Sequence, residues 1–172
     1  MFLNLIFVDR RFFIIRLLLL NMSEKSIKSI KLEIHETRDV IDDHVNGELT
    51  VIWREWDKIF DFKPKMVYIS SVNKNEIKGP HLHLKRTSYF VCVKGKVVFI
   101  IKDFDGNYKE IESSEENPVL IRIPNNIPSA HVNLSENVSK VLTLADIAWK
   151  PNDNEMINVT FHDYNLKKWS NQ

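Results

Sequence analysis

Residues 78–95 read Lys78-Gly79-Pro80-His81-Leu82-His83-Leu84-Lys85-Arg86-Thr87-Ser88-Tyr89-Phe90-Val91-Cys92-Val93-Lys94-Gly95. His81 and His83 are separated by one residue, so on an extended segment both imidazoles project to one face. A pair of titratable, metal-competent groups on one face marks the floor of a pocket if the surrounding chain folds into stacked sheets. The residues on either side of this stretch therefore decide the fold and, with it, the meaning of the pair.

They read as strands. Residues 89–93 and 96–102 are apolar on both faces, the pattern of central strands covered on two sides. Alternation over 27–34, with Ile27, Ile30, Leu32 and Ile34 apolar, predicts a half-buried strand. Asn46-Gly47 is a hairpin signal leading into a strand over 48–54, and further strands are expected at 66–72, 108–112, 119–123 and 138–145. A final helical turn or two is expected around 164–169. Short strands recurring about every 8–12 residues point to an all-β sandwich or barrel.

Composition narrows the function classes. The chain has 172 residues, 44% of them hydrophobic, which suits one soluble globular domain. Cys92 is the single cysteine, so no intrachain disulfide can form and a cytoplasmic, reducing setting is expected. A net charge of +1 with the two signs interspersed argues against nucleic acid as a partner. Residues 1–21 are mostly Phe, Leu and Ile, broken by Asp9, Arg10, Arg11 and Arg16, which spoils a membrane span or a signal-peptide core. We expect 1–21 to be an atypical extension, with translation starting at Met22 and one domain over 22–172; an amphipathic surface anchor is the alternative. The extension carries three arginines and one aspartate, a net +2, so without it the charge is −1.

His131 follows two prolines in Ile123-Pro124-Asn125-Asn126-Ile127-Pro128-Ser129-Ala130-His131, a loop whose fixed path can deliver it beside His81 and His83. His35, His44 and His162 have no comparable setting and are read as surface or hydrogen-bonded residues.

On these residues the chain from about 27 to 169 resembles the cupins. Gly79-Pro80-His81-Leu82-His83 with Gly95 is similar to their first motif, and the proline-to-His131 loop to their second. The resemblance implies a jelly roll, or double-stranded β-helix. Metal-binding cupins carry a glutamate where this chain has Ser88, so metal is not expected; a three-histidine site of His81, His83 and His131 is the alternative. Within the cupins two branches are similar. The dTDP-4-dehydrorhamnose 3,5-epimerase family resembles Lys78-Gly79-Pro80-His81, Ala130-His131 and the run Trp149-Lys150-Pro151-Asn152-Asp153-Asn154-Glu155. Its aspartate and tyrosine partners would fall near Phe99 and Thr143, where neither is present. The dTDP-sugar 3,4-ketoisomerase family resembles the spacing from Gly79 through Cys92 to Gly95.

The resemblance implies His81, His83 and Tyr68 as catalytic groups and Lys78, Lys85, Arg86 and His131 as substrate-binding groups. The implied reaction is epimerisation of a nucleotide-linked 4-keto-6-deoxy sugar by histidine-mediated proton abstraction, in surface polysaccharide or glycan synthesis. Ketoisomerisation, and a metal-binding or non-catalytic sugar-binding cupin, are the alternatives. No cofactor and no membrane partner are expected. A homodimer is expected, both from the resemblance and from the strand edges that such a fold leaves open.

Overall fold

The computed structural model describes residues 26–57 and 60–169. The expected extension and its Met22 start lie outside the described residues. Twelve strands form in order: β1 (Lys28–Lys31), β2 (Ile34–Arg38), β3 (Val45–Thr50), β4 (Met66–Val72), β5 (Ile77–His83), β6 (Ser88–Lys94), β7 (Lys96–Lys102), β8 (Tyr108–Ser114), β9 (Val119–Ile123), β10 (Ser129–Asn133), β11 (Ser139–Ala145) and β12 (Met156–Asn158). A 3-10 turn, Leu166–Trp169, is the helical element expected near the end of the chain.

Two five-stranded antiparallel sheets face each other, ordered β1-β9-β6-β11-β4 and β12-β5-β10-β7-β8, and β2-β3 stands as a separate hairpin. This is the jelly roll that the cupin resemblance implies. Between the sheets lie Cys92, Phe99, Ile101, Ile121, Ile123 and Val141, with Phe90 and Phe99 in ring contact at 5.7 Å. The outer faces are covered too. Trp53, Phe60 and Phe62 pack over Tyr89, Val91 and Leu144 of the first sheet, while Phe161, Tyr164 and Trp169 pack over Val98, Ile100 and Val132 of the second. β6 and β7 therefore need apolar side chains on both faces, as their sequences have.

Two expectations near the start of the chain are corrected. The strand over 27–34 breaks at Leu32, which turns into the outer cluster and donates its N–H to Pro118 O at 2.8 Å; β2 begins only at Ile34. Asn46-Gly47 forms no turn but lies inside β3, with Gly47 opposite Thr37, and the strand after it stops at Thr50. The turn forms around Asp43 instead, at φ +58°, where Asp39 Oδ1 accepts from Ile41 N and Asp43 O accepts from Arg38 Nη1. Side-chain hydrogen bonds of this kind offer the backbone a turn that competes with the Asn-Gly one.

Gly95 alone separates β6 from β7, at φ +73°, and an added Cβ would come within 2.6 Å of Ser139 Oγ. Both the left-handed conformation and the close approach demand glycine. Cys92 is fully buried and burial pushes its thiol up to about 11, so the residue acts as packing.

Candidate active site

Cross-strand neighbours share a face. Phe99 and Ile101 point between the sheets and lie opposite His131 and Ser129; these in turn lie opposite Lys78 and His81 on β5. Lys78, His81 and His83 consequently all face the interior. Strict alternation would place Lys78 and His81 on opposite faces, but β5 holds one residue more than β10 across this interval. The extra residue falls at Gly79-Pro80, a cis peptide bond with Gly79 at φ +93°. A Cβ on Gly79 would stand 2.7 Å from Ser129 O, so only glycine lets the two strands approach there.

The two imidazoles have different surroundings. His81 Nδ1 lies 3.0 Å from Oδ1 of Asn158, its partner across the β5–β12 pair. With the amide oxygen accepting, Nδ1 holds the proton and Nε2 carries the lone pair. His83 is held between two charged groups: Nδ1 donates to Glu155 Oε2 at 2.7 Å, and Arg86 Nη2 stands 2.6 Å from Nε2 and 3.0 Å from Nδ1, against the ring. Burial first, then the Arg86 charge, lowers the His83 pKa against the opposing pull of Glu155, so this ring stays neutral.

Glu155 is the hub. It is 8% exposed, and its Oε1 accepts from the Lys85 and Arg86 amides at 3.2 and 2.9 Å. Burial alone would raise its carboxyl, but the bonds from His83 and from those amides outweigh burial and hold it below the ordinary carboxylate range. Arg86 is buried, and its Nε has no hydrogen-bond partner among the described residues. Its guanidinium carbon lies 6.0 Å from the centre of the Tyr68 ring. Tyr68 belongs to β4 and faces the interior, since it lies opposite Thr143, which lies opposite Phe90.

The geometry thus gathers His81, His83, Arg86 and Tyr68. Lys85 contributes its amide to Glu155, while its side chain is exposed. His131 packs on Phe99, ring centres 5.2 Å apart, and its Nε2 is shut off from solvent with no partner. Although part of the ring surface is accessible, burial of the nitrogen, then the Lys78 and His81 charges, pushes its pKa down to about 3. Ser88 Oγ and Thr143 Oγ1 are likewise buried and unpartnered on the interior face. Sequence reasoning missed Asn158 altogether and met Glu155 only as the last residue of a quoted run. The weak signal was two polar residues three apart in a late segment.

The three-histidine metal alternative gains no support. Among the described residues the one set of three donors that converge within 4.8 Å is Asp39, Asp42 and His44, on the exposed hairpin turn. At His83 the Arg86 cation stands 2.6 Å from Nε2, and its charge opposes a metal cation there. Volume does not mark the site either. A cleft of about 550 Å³ lies between Leu32, His35 and Arg54, away from the histidine pair, whereas one of about 310 Å³ opens beside Arg86, Trp149 and Glu155. No helix among the described residues is long and apolar enough to cross a membrane.

The profile of the family described as FdtA, WxcM-like, C-terminal matches residues 30–164. The chain belongs to that family. No curated protein matches it. Among solved structures, a dTDP sugar isomerase from Desulfovibrio desulfuricans G20 superposes with TM-score 0.68 at 16% identity, over 79% of this chain and 85% of that one. QdtA, a sugar 3,4-ketoisomerase from Thermoanaerobacterium thermosaccharolyticum solved with TDP, gives 0.59 at 24% identity, over 76% and 86%. ChmJ, a 3'-monoepimerase from Streptomyces bikiniensis solved with dTDP-quinovose, gives 0.63 at 16%, over 77% and 69%. These likenesses establish a common fold for the family member described here.

Proposed function

We propose that this protein is an isomerase of a nucleotide-linked 4-keto-6-deoxy sugar that moves the carbonyl from C4 to C3. The observation that carries the reading is His81: it lies on the inner face of β5, and Asn158 Oδ1 stands 3.0 Å from its Nδ1, which leaves Nε2 as the basic nitrogen. The family, and neighbours named as dTDP-sugar isomerases and epimerases, support the substrate class.

In this mechanism His81 Nε2 takes the proton from C3, and the electron pair of the C3–H bond forms an enediolate with its charge on O4. Lys78 and Arg86 stand on the same interior and stabilise that oxyanion. The imidazolium returns the proton to C4, and the O3 hydroxyl proton passes to O4 through the Tyr68 hydroxyl, which can both donate and accept. One carbonyl and one hydroxyl have exchanged places. His83 acts by fixing Arg86 rather than by moving a proton. His131, neutral and packed on Phe99, forms part of the wall against which the sugar lies. The protein then serves surface polysaccharide or glycan synthesis.

Epimerisation is the second reading. Tyr68 faces β5 from the opposite sheet, where a hydroxyl can reprotonate the far side of the same carbon. Phe99 and Thr143, in place of that family's aspartate and tyrosine, make it the weaker of the two.

Incubation with dTDP-4-keto-6-deoxyglucose in deuterated water separates the readings by NMR. A 3-keto product with the carbonyl moved is expected. Exchange at C3 or C5 with the carbonyl unmoved selects epimerisation, and absence of any exchange overturns both.

A further inference from the structure

Glu155 and Asn158, the partners of His83 and His81, come from one short stretch of chain, since β12 follows Glu155 directly and ends at Asn158. β12 lies at the edge of the second sheet and pairs only with β5 among the described residues. Its residues, Met156, Ile157 and Asn158, are all exposed. Register is strongly specified where a strand buries one face, and a slip of one residue turns every side chain to the opposite face. β12 buries no face, so its own residues do not fix the register that brings Asn158 opposite His81.

The chain on either side does. Before the strand, Glu155 is pinned through its carboxylate, and its carbonyl accepts from Leu84 N at 2.9 Å. After it, Val159 N donates to Pro80 O at 3.1 Å and the chain passes onto the outer face of the second sheet. There Phe161, 7% exposed, packs on Val98, Ile100, Ala130 and Val132. Its ring meets that of Tyr108 edge-on at 5.1 Å, and Tyr108 in turn lies 4.6 Å from the ring of Tyr164. Polar bonds close over this cluster: Asp163 accepts from Lys102 Nζ at 2.9 Å and from Tyr108 Oη at 2.5 Å, and Glu110 accepts from Tyr164 Oη at 2.5 Å.

Asn158 therefore stands midway between two pins, three residues after Glu155 and three before Phe161. Phe161 is on the far side of the sheet from the site. Val98 and Ile100 turn toward it, whereas Phe99 and Ile101 of the same strand turn to the interior. The sheet separates its ring from anything bound beside His81, so any influence on the reaction must pass along the chain.

We propose that Phe161 is a positioning residue for His81: its seat on the outer face holds the trailing end of β12, so that Asn158 Oδ1 stays on the imidazole Nδ1. Without that seat β12 frays from the Asn158 end while the Glu155 end remains pinned. His81 then loses its partner and His83 keeps Glu155. The effect on turnover rests on the reading of His81 as the base; the effect on the ring does not.

The test uses the full chain with Phe161→Ala, Phe161→Leu, Asn158→Ala and the double variant Asn158→Ala/Phe161→Ala. Nitrogen NMR of the imidazoles at about pH 8, where an ordinary histidine is neutral, reads which nitrogen carries the proton. The parent should show His81 protonated at Nδ1. Phe161→Ala should give His81 a mixture of tautomers and leave the His83 signals in place. Turnover of a nucleotide-linked 4-keto-6-deoxy sugar should fall about tenfold with KM near the parent value, and Phe161→Leu, which refills the seat, should restore it to within about threefold. The double variant should be no slower than Asn158→Ala alone, because both substitutions remove the same interaction. His81 signals unmoved by Phe161→Ala, or a double variant slower by a further tenfold, overturn the proposal. If circular dichroism shows that Phe161→Ala does not fold, Asp163→Ala, an exposed anchor of the same segment, takes its place, and unmoved His81 signals there are equally fatal. A parent that turns over no 4-keto sugar overturns the proposed reaction alone, and the ring signals then decide this inference.

Discussion

The Asn158 end and the Glu155 end of the β5–β12 pair place two chemically identical rings in opposite states. At the Glu155 end His83 is enclosed: a carboxylate accepts from one nitrogen, a guanidinium stands against the ring, and two backbone amides complete the carboxylate's set. At the Asn158 end the one hydrogen bond seen at His81 among the described residues is that of Nδ1 with the neutral Asn158. An imidazole whose hydrogen bonds are all satisfied within the protein is a structural part, whereas one oriented at a single nitrogen can move a proton. Sequence spacing makes the two equivalent, and only their partners separate them.

The largest effect that can break this comparison is loss of the open ring. His81→Asn should lower turnover by about a hundred- to ten-thousandfold with the melting temperature little changed, since general base catalysis is worth that much. A turnover within threefold of the parent would hand the base to His83 and reverse the assignment.

At the closed end the expected loss is of stability. Glu155→Gln keeps the shape of the side chain. Its amide nitrogen or its remaining oxygen, however, must face either the His83 Nδ1–H or the Lys85 and Arg86 amides, so one set of donors is left unmatched. The buried Arg86 also loses a carboxylate 3.9 Å from its Nε. Hydrogen bonds to a charged group are worth about 1.5–3 kcal/mol, so urea unfolding should show a loss of about 3 kcal/mol. An unchanged midpoint would mean that the Glu155 cluster is dispensable.

Acid should act next. His83 and His131 both have pKa values lowered by burial, His131 to about 3, so the folded protein leaves them neutral. The unfolded chain takes up those protons as pH falls below about 6.5, so stability is flat above that pH and lost below it. For His131 alone the loss at pH 5 is about 2 kcal/mol. The lowered carboxyls of Asp61 and Glu155 add their losses only under more acid conditions. His131→Phe, which still packs on Phe99, should flatten the slope between pH 6.5 and 5; a slope as steep as the parent's would remove His131 as its source.

The strands with apolar cover on both faces were legible because burial on two sides leaves a continuous apolar run. β6, β7 and β9 follow it closely. The hairpin departs from its expected place because the Asp39 and Arg38 side chains specify a turn that outcompetes Asn46-Gly47. The histidine pair was legible from period two alone. That Lys78 joins its face was not, because the extra residue at Gly79-Pro80 reverses the alternation. Asn158 and Glu155 lie 77 and 72 residues from the rings they serve, too far for any local pattern to connect them.

The smallest change tests the partner that fixes His81. Asn158→Ala removes a neutral hydrogen bond at an exposed position, worth about 1 kcal/mol, so stability should scarcely move. The ring then loses what holds the proton on Nδ1 and can rotate or switch tautomer, presenting N–H to the carbon acid in part of the population. Turnover should fall about tenfold, as expected for a misoriented base, while KM stays near the parent value because no binding group has gone. A rise in KM with turnover intact would place Asn158 in contact with the substrate rather than behind the base. Equal sensitivity of stability to Asn158→Ala and to Glu155→Gln would erase the difference between the two ends.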